Sequence, residues 1–336
     1  MGREYTPEIP PVHPFPHKAV TTSSPLLEDP VLLPGVLALQ PQELAAHQAF
    51  PFRVPWPLAQ RIDWHDPDDP LRRQFWPDAR ETLDMPGFVR DPLGEEAQWG
   101  GQGCLHKYHG RVLVPLTAAC PVHCRYCFRR HTKSAPREQG WPAILESLGT
   151  TDPLTEVILS GGDPWMLPDA LLAQRILDLQ ALPQQPRIRL HSRVPVLLPQ
   201  RMGPLTLEVL SRTPRGAVVV VHCNHPDELD SAACAAMARL RHAGVLLFNQ
   251  SVLLAGINDS VPVLVRLCTL LMDQGVVPYY LHLLDPVAGA AHFAVAEDQA
   301  RRLMAELAAS LPGYAVPRLA RELPGGASKL VLCPDY

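Results

Sequence analysis

The chain has 336 residues, 46% of them hydrophobic, and a formal net charge of −4; it can bury a large core and is not a disordered segment. That mild acidity gives no general attraction to nucleic acid or anionic membrane, and the longest apolar runs, 216–221 and 252–255, are far too short for a bilayer span. Eight cysteines are too sparse for a disulfide framework, and the opening Met-Gly-Arg-Glu-Tyr-Thr-Pro lacks the apolar run of a secretory leader, so a soluble protein of a reducing cytoplasm is expected.

Proline, 38 residues in all, crowds the first hundred positions in phrases such as Ile-Pro-Pro-Val-His-Pro-Phe-Pro. This predicts a helical and irregular N-terminal extension over 1–105, with short helices near 42–49 and 69–83. From about Arg111 short β-branched runs alternate with helical stretches. Strands are predicted at 111–116, 156–160, 187–191, 217–222, 245–250 and 278–284. Helices are predicted at 168–182, 226–242 and 261–274, the last two stopped by Gly244 and Gly275. Strands joined by crossover helices imply an α/β fold with a parallel sheet, which carries its functional residues at the C-terminal strand ends. Polar phrases stand at all six of those ends. They are the cysteine loop at 120–127, Ser160-Gly161-Gly162-Asp163, His191-Ser192-Arg193, His222-Cys223-Asn224-His225, Asn249-Gln250-Ser251 and His282-Leu283-Leu284-Asp285. Together they describe one mouth.

Cys120, Cys124 and Cys127 have the spacing C-x3-C-x2-C. Three thiolates can hold three irons of a [4Fe-4S] cube, which leaves one iron open to a ligand. A structural zinc site that recruits His123 or His131 is the alternative. Around the loop lie Lys107, Arg111, Arg125, Arg129, Arg130, Lys133 and Arg137, readable as a solvated basic face or as holders of small anions. Aromatic residues are not regularly interleaved there as single-stranded RNA would require. Near the C-terminus, Pro-Gly-Gly-Ala-Ser-Lys puts Lys329 after a small-residue turn. A lysine so placed can form a Schiff base with an aldehyde cofactor, though alone the phrase also fits a mobile tail.

The cysteine loop resembles that of the radical S-adenosylmethionine (SAM) enzymes. With Gly-Cys-Leu-His-Lys-Tyr-His-Gly-Arg, Ser-Gly-Gly-Asp, Ser-Arg-Val-Pro-Val-Leu-Leu-Pro-Gln-Arg, His-Cys-Asn-His-Pro, Pro-Tyr-Tyr-Leu-His and Pro-Gly-Gly-Ala-Ser-Lys, the chain is similar from about 69 to 329 to the lysine 2,3-aminomutase family. Within it, Tyr-Leu-His-Leu-Leu-Asp-Pro-Val-Ala-Gly-Ala-Ala-His-Phe resembles the short bacterial branch that makes (R)-β-lysine for elongation factor P. The resemblance implies a partial (β/α)6 barrel over 106–295 and a C-terminal segment over 296–336 that carries a pyridoxal 5′-phosphate (PLP) lysine.

The resemblance also implies site roles. Cys120, Cys124 and Cys127 would hold the cluster, and Ser160, Gly161, Gly162, Asp163, His222 and Gln250 would line the SAM site. Lys329 would carry PLP, with Lys107 and Arg111 at its phosphate. Arg129 would grip the substrate carboxylate, while Asp285 and Glu322 receive the distal ammonium of L-lysine. The implied reaction is a radical 2,3-migration of the amino group. The clostridial-type enzymes have a zinc-site cysteine where this chain has Ser260, which argues against a zinc-clamped oligomer, and an Asp where it has Glu322, which would shift the ammonium by about one methylene length. Rival readings are an aminomutase for another amino acid, a source of free β-lysine, and a non-catalytic zinc-stabilised binding protein.

Overall fold

The computed structural model describes residues 26–33, 39–98, 103–131 and 140–335. A two-residue ladder joins β1 (Leu26–Leu27) to β2 (Val54–Pro55). The frame is a nine-stranded sheet of β3 (Leu105–Tyr108), β4 (Arg111–Thr117), β5 (Glu156–Gly161), β6 (Arg187–Ser192), β7 (Ala217–Val221), β8 (Leu246–Val252), β9 (Val277–His282), β10 (Arg318–Arg321) and β11 (Leu330–Val331). The spatial order follows the chain. Every neighbour from β4 to β10 is parallel, and the edge strands β3 and β11 run antiparallel.

All six predicted strands are present to within two residues at each end, and helices Asp169–Gln180, Ser231–His242 and Val261–Asp273 fall inside the predicted spans. A seventh parallel strand, β10, follows helix Glu297–Ser310; neither was foreseen from the sequence. The helix expected at 69–83 is broken into Pro70–Phe75 and a 3-10 turn, Ala79–Thr82. Pro77 has no amide to donate and pushes Trp76 out to an extended ψ of 135°. Asp69 and Asp78 then cap the two pieces with their carboxylates.

Strand alternation separates two environments. Val157, Leu159, Ile188, Leu190, Val219, Val221 and Leu247 face outward and pack with Ile176, Leu179, Met237, Leu240 and Leu271 of the covering helices in the main core. The other face carries Glu156, Ser160, Arg189, His191, Phe248, Gln250, Tyr280 and His282, none of which belongs to that core. Tyr108 on one edge strand donates from Oη to Glu322 Oε2, just past β10 near the other edge, at 2.7 Å. The sheet therefore curls until its edges meet through side chains without backbone pairing, which makes an open, partial barrel with a polar interior. Among the described residues no helix is long and apolar enough to cross a membrane.

Candidate active site

The cysteine loop leaves the C-terminal end of β4 and is pinned from several sides. Arg193, past β6, donates from Nη1 to Cys124 Sγ at 2.8 Å and to Tyr126 Oη at 2.6 Å. Its Nη2 pairs with Glu228 at 2.5 Å. A hydrogen bond of this kind to a cluster sulfur is one lever by which proteins tune iron-sulfur centres. Burial, together with Cys127, Asp163 and Cys124, holds the Cys120 thiol well above its usual pKa, and burial pushes Cys127 up to about 11. Loading a metal there would therefore release protons.

The zinc alternative is not supported by this geometry. His123 donates from Nδ1 to the Pro51 carbonyl at 2.7 Å and stacks on Phe50, while His131 Nε2 lies 2.9 Å from the Ala288 carbonyl. Among the described residues no three His, Cys, Asp or Glu side chains converge on a point that one ion could occupy. Thiolates of a cubane bind different irons and need no such convergence.

Ser160-Gly161-Gly162-Asp163 lies directly under the loop. Gly161 has φ +119°, and a β-carbon there would fall 2.4 Å from the Thr117 carbonyl oxygen; at Gly162 it would fall 2.2 Å from that of Ala119. The two glycines are thus demanded by close backbone approach. Gly162 and Asp163 amides donate to those same carbonyls at 2.6 and 2.9 Å. The Asp163 carboxylate, 2% exposed, accepts from the Ser192 hydroxyl and from the amides of Arg193, Val194 and Trp165. It organises the start of the next loop, and its carboxylate is turned into the protein.

Inside the barrel, Gln250 Nε2 donates to His222 Nε2 at 2.8 Å, and the His222 and His191 rings meet edge to face at 5.8 Å. Burial draws His222 down to about 3, helped by Arg193, Lys329 and Arg129; His282 falls to about 3 by burial and the field of Lys329. His191 is likewise held well below its usual value by burial and Arg189. The fields of Lys329 and Arg129 both act on His222 and His191. Lys329 Nζ donates to Glu322 Oε1 and lies 5.6 Å from the Tyr280 ring centroid.

Arg111 is the first residue of β4, at the foot of the strand that ends in the cysteine loop, with its guanidinium 4.6 Å from the Tyr108 ring. Through Tyr108 and Glu322 it is linked to Lys329. The Lys107 side chain, Lys133 and Arg137 fall outside the described residues. Asp285 is half-buried in the loop after β9. Two buried nitrogens facing the interior, Arg189 Nε and His191 Nε2, have no partner among the described residues. Buried donors and acceptors of that kind suit a polar ligand, so the interior fits a phosphate-bearing cofactor.

The N-terminal extension contributes side chains that sequence spacing did not point to. Glu81 takes both prongs of Arg125 at 2.8 and 2.6 Å and Arg130 at 2.5 Å. Gln74 joins Tyr126, Asn224 and Glu228. Glu95 holds Arg129 with two bonds of 2.8 Å.

The histidine shifts fix a pH response for protein without cofactors. Unfolded, these imidazoles take up protons near 6.5; folded, His222 and His282 resist them down to about 3. Between those values the unfolded chain binds more protons, so stability is full above about pH 6.5 and is lost as pH falls. Asp163, raised by burial to about 6, has the opposite sign, but it is one group with a smaller shift against two. The melting temperature is expected to fall from pH 7 to pH 5, and less steeply in His222→Gln/His282→Gln.

Comparison with known proteins gives the chain clear relatives. It is 44% identical over 291 residues, 86% of this chain and 85% of the relative, to the L-lysine 2,3-aminomutase of Escherichia coli (strain K12). To that of Haemophilus influenzae it is 39% identical over 310 residues, 90% of this chain and 92% of the relative. To that of Clostridium subterminale it is 35% identical over 280 residues, 82% of this chain and 67% of the relative. A solved radical SAM methyltransferase from Sphaerobacter thermophilus superposes with a TM-score of 0.46 and 18% identity over 65% of this chain and 68% of that one. No family model matches the chain.

Proposed function

From the premise that the chain belongs to the lysine 2,3-aminomutase family, we propose that it converts L-α-lysine to (R)-β-lysine, destined for elongation factor P. It is an isomerase of that family; the stereochemistry and the destination are our reading. The observation that carries the assignment is that Arg129, two residues beyond Cys127, lies 3.2 Å from the Gly161 carbonyl at the end of β5, while the Lys329 amine lies 5.6 Å from the Tyr280 ring on the inner face of β9.

Cys120, Cys124 and Cys127 would hold the [4Fe-4S] cluster; Ser160, His222 and Gln250 would face SAM; Lys329, with Arg111 and Lys107, would hold PLP. When bound, these groups supply the electron, the radical and the nitrogen-linked π-system that the migration needs. The chain's own residues supply placement. Arg129 offers a planar fork to the substrate carboxylate, while Asp285 and Glu322 offer negative charge to the distal ammonium. The distance between these ends selects for chain length. A neutral side chain of similar size would leave acidic groups buried without a cation, which favours lysine. Neutral His191, His222 and His282 add no cation to repel that ammonium.

Elongation factor P as the destination, with a lysyl ligase as intermediary, is supported by the likeness of 280–293 to the short bacterial branch. Cytoplasmic location is inferred from the same assignment. Protein reconstituted anaerobically with iron, sulfide and PLP is expected to form β-lysine from L-lysine, SAM and dithionite, with the R enantiomer identified by chiral chromatography. Absence of β-lysine would remove the assignment.

A further inference from the structure

The guanidinium of Arg129 is already engaged. Glu95 accepts from Nε and Nη2, each at 2.8 Å, while Nη1 leans on the Gly161 carbonyl at 3.2 Å and on the Ser160 hydroxyl at 3.4 Å. Both partners of the ion pair are largely buried, with side chains 16% and 12% exposed. An arginine has two edges that can meet a carboxylate in bidentate fashion, the Nε/Nη2 side and the Nη1/Nη2 end. Glu95 takes the side. The end keeps one hydrogen on Nη2, and Nη1 is held only by the two longer contacts, which a second carboxylate can displace.

Glu95 is itself held firmly. The Asp91 carboxylate accepts from the amides of Glu95 and Glu96 at 3.0 and 2.9 Å, and Leu93 beside it is buried. Six residues before Glu95, Val89 bridges to Val287, with its amide on the Pro286 carbonyl at 2.9 Å and its carbonyl accepting from Ala288 at 2.9 Å. Pro286 directly follows Asp285. One strap of the N-terminal extension, 89–95, therefore touches the loop that carries the ammonium-binding carboxylate and the arginine proposed for the other end of the substrate.

Resting on the aminomutase reading, we propose that Glu95 is a positioning residue for substrate recognition: it fixes Arg129 so that its Nη1/Nη2 end meets the α-carboxylate, and its strap sets the spacing between the carboxylate and ammonium ends. The two 2.8 Å bonds from Glu95 thus hold the plane of the guanidinium and aim its free end.

The test uses the PLP-loaded, iron-reconstituted enzyme and Glu95→Gln, which keeps the shape but cannot accept on both prongs, with Glu95→Asp as the conservative variant. Two probes are titrated, L-lysine and 1,5-diaminopentane, which is lysine without its carboxylate. In Glu95→Gln the KM and the binding constant for lysine are expected to weaken by about tenfold to a hundredfold, the scale of one charge-assisted hydrogen bond. Binding of 1,5-diaminopentane and kcat should stay within about twofold, and Glu95→Asp should fall between wild type and Gln. Unchanged lysine binding overturns the proposal. Tighter lysine binding overturns it too, by showing that Glu95 competes with the substrate for Arg129. Equal weakening of both probes shows only a general prop for the strap and also overturns it. Failure of wild-type enzyme to bind lysine at all defeats the aminomutase reading itself, and this inference with it.

Discussion

Lys329→Ala is expected to yield a protein that folds and takes up iron but retains no PLP absorbance and isomerises lysine at least roughly four orders of magnitude more slowly, as when a covalent anchor is removed from a site that works as a unit. Lys329 follows the turn after β10, and its amine reaches the interior between Glu322 and the Tyr280 ring. Another lysine that could take over there is not among the described side chains, since Lys107 lies outside them. Truncation removes little packing. It leaves Glu322 with the Tyr108 hydroxyl, so the melting temperature should change modestly. Absorbance spectra and β-lysine yield read the result; a variant that keeps bound PLP and substantial turnover would show that Lys329 is not the anchor.

Glu81→Ala should be the most damaging substitution to stability, by about 3–5 kcal/mol, the cost of removing one partner from a buried ion pair. The Glu81 and Arg125 side chains are 0% exposed and that of Arg130 2%, so both cations would be stranded without water. Arg125 also donates to the carbonyls of Phe50 and Ala46 and lies beside Cys124, so the loss spreads into the cysteine loop. Urea denaturation measures the first effect, and iron content after reconstitution the second. Glu81→Gln, which preserves part of the hydrogen bonding, should lose less of both. A cost under about 1 kcal/mol would mean that Arg125 and Arg130 are not buried as described.

The strands of the barrel were legible because each is a short β-branched run that ends in polar residues, such as Val-Val-Val-Val before His222. β10 was not. Its four residues, Arg-Leu-Ala-Arg, carry no strand propensity to speak of, and it exists because β9 offers an edge to pair with. The cysteine spacing and the small-residue turn before Lys329 were legible as local chemistry. Glu81, Gln74 and Glu95 were not, because their partners Arg125, Glu228 and Arg129 lie 44, 154 and 34 residues away. No local spacing encodes such a pairing. Asp163 illustrates a subtler case. Its place in a Gly-Gly-Asp turn was visible, whereas the Ser192, Arg193 and Val194 groups that claim its oxygens come from the next strand end. The break at Pro77 was readable in principle and was outweighed by the helical pattern on either side.

Glu322 ties the barrel seam through Tyr108 and meanwhile neutralises Lys329. One carboxylate thus closes the sheet and holds the lysine ammonium at once, so a neutral residue in its place would loosen the rim of the barrel and strip the Lys329 cation of that counter-charge.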